Sequence, residues 1–273
     1  MGALAMLAAV TALLPGFTPH DGVLRGVFPG EARAGYVFLP PGFTTTQRYP
    51  VVYLLHGMPG DPTEYLAGTD LASWAGTAIA NGTVRPFIAV MPAAGPDPGY
   101  NGEWAGAQSA AIVQRIIPWI DSHLPTIATA RGRVIAGLSA GGYGAVDIAL
   151  RHPDLFGTVE SWSGYFRPLR DGPFKHATRK VLAANDPTQI APAARGTGMR
   201  FFLSSGPAHS HWFKPAETLA FANELRTLGV PLSYHTYSNS RGEWRVQFDT
   251  GLKWAFRATC GRFFSPPSCA PHA

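Results

Sequence analysis

Residues 137–150 read GLSAGGYGAVDIAL. Ser139 stands between Gly137 and Gly141 in the pattern G-x-S-x-G. The stretch before it, RVIAG (133–137), is a short apolar run of the kind that forms a strand buried on both faces. The stretch after it, GYGAVDIALRH (142–152), has helical spacing and is stopped by Pro153. A strand that turns straight into a helix leaves no room for a side chain at either flanking glycine, and it strains the serine backbone. The hydroxyl is then lifted above the sheet edge, over the positive end of a helix dipole that favours an oxyanion. This is the sequence form of a nucleophile elbow, and such a serine needs a base.

Outward from the elbow, the chain reads as a hairpin followed by alternating strands and helices. GVLRGVF (22–28) and RAGYVFL (33–39) form the expected hairpin. VVYLL (51–55), PFIAVM (86–91), GTVESWS (157–163), RFFLS (200–204) and LSYHTY (232–237) complete a set of eight strands with 133–137. Helical spacing appears in LASWAGTAIA (71–80), in AAIVQRIIPWIDSHL (110–124) despite Pro118, in 215–229 and in 246–258. The expected fold is α/β, a mainly parallel eight-stranded sheet covered by helices on both faces. Ligands in such sheets sit at the carboxyl ends of the strands.

A second loop lies at that edge. In YLLHGMPGD (53–61) a buried strand ends in His56-Gly57 and a glycine-rich loop. A loop so placed supplies the second oxyanion donor, so the backbone N–H groups of Met58 and Ala140 are the candidate pair. His56 is expected to be structural, packing under the loop.

These residues resemble the α/β-hydrolase fold. Within it they resemble the esterase family of S-formylglutathione hydrolase, feruloyl esterases, enterochelin-type esterases and mycolyltransferases. The similarity is carried by YPVVYLLHGMPGD, NGEWAGA, RIIPWIDSHLP, the elbow region through Phe166 and NDP (185–187). It implies a serine acyl hydrolase or acyltransferase acting on an ester, without metal or organic cofactor. It also implies that Trp104, Trp162 and Tyr165 line the cleft, where they could form an aromatic wall for an acyl or aryl group; core packing is the other reading of Trp162.

The family pattern breaks late in the chain. Its catalytic acid follows the strand corresponding to RFFLS, where this chain reads Pro207-Ala208-His209-Ser210-His211. Its histidine follows the last strand, where this chain reads SNSRGEW (238–244), with Arg241 or Gly242 at the histidine position. No histidine occurs from 236 to 271. Three readings follow. The roles have been exchanged, so that His209 or His211 is the base and Glu243 orients it, since triads are defined by geometry and not by chain order. Or the protein is a catalytically degenerate hydrolase fold that binds a ligand or partner. Or another carboxylate, such as Glu217, serves with a distant histidine. Glu160, in a mostly apolar strand, calls for a partner such as Arg245 or Arg241. His235 reads as a packed strand residue.

Composition narrows the partners. The 273 residues are 46% hydrophobic and 14% charged, enough apolar material for one large domain. The net charge of +5 is scattered arginine without a basic, aromatic-interleaved block, so nucleic acid is not an expected partner. The expected partner is a small-molecule or envelope-lipid ester, with peripheral membrane or cell-envelope association. The apolar segment 1–20 begins MGALAMLAAVTALLPG, too short to span a membrane. It reads as a signal-like stretch, the tail of a longer membrane segment or a buried helix. The domain proper is expected at 21–259, and the tail 260–273 carries Cys260 and Cys269, a disulfide pair if the protein is exported. Together these favour an extracytoplasmic location.

Overall fold

The structure, a computed structural model, describes residues 13–206, 215–237 and 243–257. The N-terminal segment through residue 12, His209, His211 and both cysteines lie outside the described residues.

Nine strands form one sheet. They are β1 (Thr18–His20), β2 (Val23–Val27), β3 (Ala34–Phe38), β4 (Val51–Leu55), β5 (Ile88–Met91), β6 (Arg133–Leu138), β7 (Thr158–Trp162), β8 (Arg200–Ser205) and β9 (Leu232–Thr236), in the order β1-β2-β3-β5-β4-β6-β7-β8-β9. The first three pair antiparallel, β3 meets β5 antiparallel, and the pairs from β5–β4 to β8–β9 are parallel. The strand beyond the expected eight is β1, three exposed residues at the sheet edge. A three-residue edge strand with a proline and a histidine has no hydrophobic alternation to announce it.

The parallel strands are buried on both faces, as their continuous apolar runs require. In β4, Val51, Tyr53 and Leu55 enter one core while Val52 and Leu54 enter the other. The first core is closed by a helical rod α2 and by α3 (Ala140–Arg151) and α4 (Pro215–Thr227). The second is closed by α1 (Leu71–Ala80) and α5 (Glu243–Phe256). The rod α2 comprises Ala107–Ala111, a wider π-type turn Ile112–Ile116, and Ile117–His123. Pro118 explains that turn: it donates no N–H and its ring crowds the carbonyl one turn back, so the ladder widens just before it. Among the described residues, no helix is long and apolar enough to cross a membrane.

Candidate active site

Ser139 joins the carboxyl end of β6 to the start of α3 with φ 54° and ψ −117°. A non-glycine residue at positive φ is strained and persists only where its surroundings enforce it. Here they do. A methyl group on Gly137 would overlap the backbone of Gly141 and come 2.6 Å from the Leu55 carbonyl oxygen. One on Gly141 would overlap that same carbonyl and lie 2.8 Å from the oxygen of His56. One on Gly142 would reach 2.7 Å from Ser161 Oγ. The Ser139 N–H donates to the Trp162 carbonyl at 2.9 Å, registering the elbow against the end of β7. Ala140 opens α3, so its N–H has no acceptor within the helix.

The loop after β4 lies beside the elbow. A Cβ on Gly57 would sit 3.7 Å from Ser139 Cβ, which brings Gly57 to the edge of the serine. His56 holds this loop in place. Its Nδ1 donates to the Gly57 carbonyl at 2.6 Å, and its Nε2 accepts the Ala94 N–H at 3.1 Å. That pattern sets the neutral tautomer. Burial pushes its pKa down to about 4. Arg33 completes the tie: it pairs with Asp61 and donates to the carbonyls of Ala94 at 2.7 Å and Asp97 at 3.1 Å. His56 is therefore a structural rivet between two loops.

Glu64 is a site residue that sequence reasoning missed. Its Oε2 lies 3.9 Å from the Cβ position of Gly57, the same point that is 3.7 Å from Ser139 Cβ. Burial raises its pKa, while the backbone N–H groups of Gly57 and Asp61 pull it back down. The flanking stretch TEYLAG forms a π-type turn (Glu64–Gly68) with no periodicity to betray its position. Trp244 packs against Gly68, so the start of α5 lies beside this turn. Glu243 opens that helix.

The expected aromatic wall is corrected for two of its three members. Trp104 is 1% exposed and donates from Nε1 to the His56 carbonyl at 2.9 Å, with its ring edge-on to His56 at 5.0 Å. Trp162 is fully buried against Tyr65 and Phe248. Both rings fill core, so neither presents a face to a ligand. Tyr165 is partly exposed; it stacks on Tyr143 at 5.1 Å and donates to the buried carboxyl of Glu103, 2.6 Å from each oxygen. Burial lifts the Glu103 pKa to about 8.

Three further expectations concern Glu160, Glu217 and His235. Of the arginines expected to partner Glu160, Arg245 is exposed, and Arg241 lies outside the described residues. The Glu160 Oε2 accepts the Trp162 Nε1–H at 3.0 Å, and burial raises its pKa to about 8. Glu217 does lie in the first turn of its helix, where it accepts the Phe166 N–H at 2.8 Å. His235 is a packed strand residue, stacked on Phe202 at 5.0 Å and hydrogen-bonded to Ser233 Oγ at 2.8 Å.

Comparison with known proteins fits this geometry. The family described as "Putative esterase" matches residues 28–255. An esterase of Mycobacterium tuberculosis, Rv1288, is 32% identical over 149 residues, which are 50% of this chain and 30% of that protein. An endo-1,4-beta-xylanase/feruloyl esterase of Xylanibacter ruminicola is 31% identical over 137 residues, 47% of this chain and 19% of that one. The matched region thus spans less than a third of either relative. Among solved structures, a ferulic acid esterase superposes with TM-score 0.71 at 23% identity, covering 83% of this chain and 93% of its own. FphF, a fluorophosphonate-binding serine hydrolase of Staphylococcus aureus, gives 0.66 at 19% identity, covering 85% and 96%. At these identities the structural likenesses establish the fold.

Proposed function

This chain belongs to the Putative esterase family, and on that premise we propose that it is a serine carboxylic-ester hydrolase with Ser139 as nucleophile. The observation that carries the proposal is the Ser139 backbone, held at φ 54° and ψ −117° between β6 and α3. In this scheme Ser139 Oγ attacks the ester carbonyl carbon as a base removes its proton. The N–H groups of Met58 and Ala140 hold the oxyanion. The leaving alcohol takes the proton, its C–O bond breaks, and water hydrolyses the acyl-enzyme; an alcohol in place of water would make the same chemistry an acyl transfer. His209 or His211 is the base and Glu243 orients it. The substrate is a small-molecule ester, and the names of the relatives make hydroxycinnamoyl esters the first to assay. An envelope-lipid ester, peripheral envelope association and an extracytoplasmic location rest on the N-terminal apolar run and the two late cysteines alone.

One observation favours a second reading, a catalytically idle binding domain on the same fold. After β9 the chain reads SNSRGEW, with no histidine where the family places one, and both nitrogens of His56 are already engaged. Turnover of p-nitrophenyl acetate and labelling by a fluorophosphonate separate the two. The esterase reading expects both in the wild type and neither in Ser139→Ala. Equal, slow turnover in both proteins with no label on Ser139 would leave the binding reading standing.

A further inference from the structure

The parallel strands end at the Ser139 edge, and at the opposite edge, where they begin, three arginines converge. Arg85 lies just before β5, Arg200 opens β8 and Arg257 follows α5. With Trp254 and Ala255 they line a cleft of about 230 Å³. The backbone brings them together: Val84 and Arg257 form an antiparallel bridge, and the Arg85 N–H donates to the Phe256 carbonyl at 3.0 Å. Arg200 is fixed within the cleft. Its Nε donates to Thr158 Oγ1 at 3.0 Å, its Nη2 donates to the Ala255 carbonyl at 3.0 Å, and its guanidinium lies 4.3 Å over the Trp254 ring.

What the cleft lacks is an anion. No carboxylate lines it, and among the described residues neither Arg85 nor Arg257 has an acidic partner. Glu243 stands at the far end of α5, about 20 Å away by helical rise. The acid whose charge reaches Arg200 is Glu160, fully buried in β7, where burial raises its pKa to about 8. Burial disfavours the charge on Arg200, and Arg85 and Arg257 each disfavour it further. Isolated surface arginines are satisfied by water. Three that line one cleft, with one locked by its own hydrogen bonds, repel one another, and each guanidinium offers its free N–H donors in a planar fork. Tetrahedral oxyanions match that fork.

We propose that this cleft binds an oxyanion of the phosphate class, a soluble phosphate or the headgroup phosphate of a lipid, held by Arg85 and Arg257 against the fixed Arg200. The site lies across the sheet from Ser139, so its occupancy does not depend on whether the serine turns over an ester.

The test uses inorganic phosphate, titrated calorimetrically against the full chain at constant ionic strength with chloride as control. Sedimentation with phosphatidylcholine vesicles, with and without phosphatidylglycerol, forms the second arm. Arg85→Ala/Arg257→Ala is the informative variant, because both side chains are exposed; circular dichroism and thermal melting check its fold, and the milder Arg257→Gln is the reserve. The proposal expects the wild type to bind phosphate, the anionic vesicles or both above the controls, and the double variant to bind at least about tenfold more weakly. Phosphate alone identifies a soluble ligand, and vesicles alone identify a lipid. The proposal is overturned if neither probe binds the wild type above its control, or if the variant binds as tightly as the wild type.

Discussion

Replacing Glu160 with glutamine should change how stability depends on pH more than it changes stability itself. Glu160 is fully buried in β7, its Oε2 accepts from Trp162 Nε1, and its Oε1 has no hydrogen-bond partner. Gly251 of α5 packs directly on the carboxyl, so water has no path to it. Burial is the main cause of its raised pKa, from 4.5 to about 8, with Arg200 and Trp162 opposing. The folded state therefore holds a proton that the unfolded state gives up. The stability tied to that proton is complete below about pH 4.5 and is lost as pH climbs toward 8. At about 1.4 kcal/mol per pH unit, the loss between pH 5 and pH 9 is about 4 kcal/mol. Glutamine keeps an acceptor for Trp162 and cannot ionise. It leaves amide hydrogens without partners, costing about 1–2 kcal/mol at every pH. Urea unfolding at pH 5, 7 and 9 should show Glu160→Gln slightly weaker than wild type at pH 5 and several kcal/mol stronger at pH 9. Glu103 and Asp147, which titrate upward for the same reason, are common to both proteins and cancel in the difference. A difference that stays flat to within about 0.5 kcal/mol across that range would refute the buried, protonated carboxyl.

Other perturbations probe the site. Gly141→Ala places a methyl group on the Leu55 carbonyl, backbone that cannot move aside, and should cost about 3–5 kcal/mol by urea unfolding; a cost below about 1 kcal/mol would show the elbow to be looser than described. Tyr165→Phe removes the hydroxyl that donates to Glu103 and should destabilise by about 1–3 kcal/mol, with the folded Glu103 pKa moving further up in a carboxyl-resolved NMR titration. Glu64→Gln removes a negative charge beside the proposed oxyanion, so kcat for p-nitrophenyl acetate at pH 8 should rise severalfold; a fall would make Glu64 a participant in the reaction.

The parts of this molecule legible in its sequence are those in which neighbours in the chain decide the outcome. The buried strands of the parallel sheet announce themselves because residues such as Val51 to Leu55 must be apolar on both faces. The elbow announces itself because its glycines answer to a turn two residues away. Trp104 reads as a cleft residue and Trp162 as cleft or core, because a large aromatic ring gives the same signal in either place. Which it occupies depends on His56 and Phe248, 48 and 86 residues away. Glu64 was invisible for the same reason: its place beside Ser139 is set by contacts across 75 residues of chain. Glu160 was correctly suspected of needing a partner, yet its partner is a neutral indole because a protonated carboxyl does not need a cation.

The contacts that enforce the Ser139 posture come from Leu55, His56, Ser161 and Trp162, all on the central strands or their ends. The proposed proton acceptor, His209 or His211, belongs to residues 207–214. Posture and acceptor are thus built by separable parts of the chain. A lineage can relocate or discard the acceptor by editing that stretch of sequence alone, and the sheet will go on presenting the hydroxyl as before. Loss of turnover would leave no mark on the scaffold, and its recovery would need no repair there, so descent along this family can cross between hydrolysis and mere recognition in either direction.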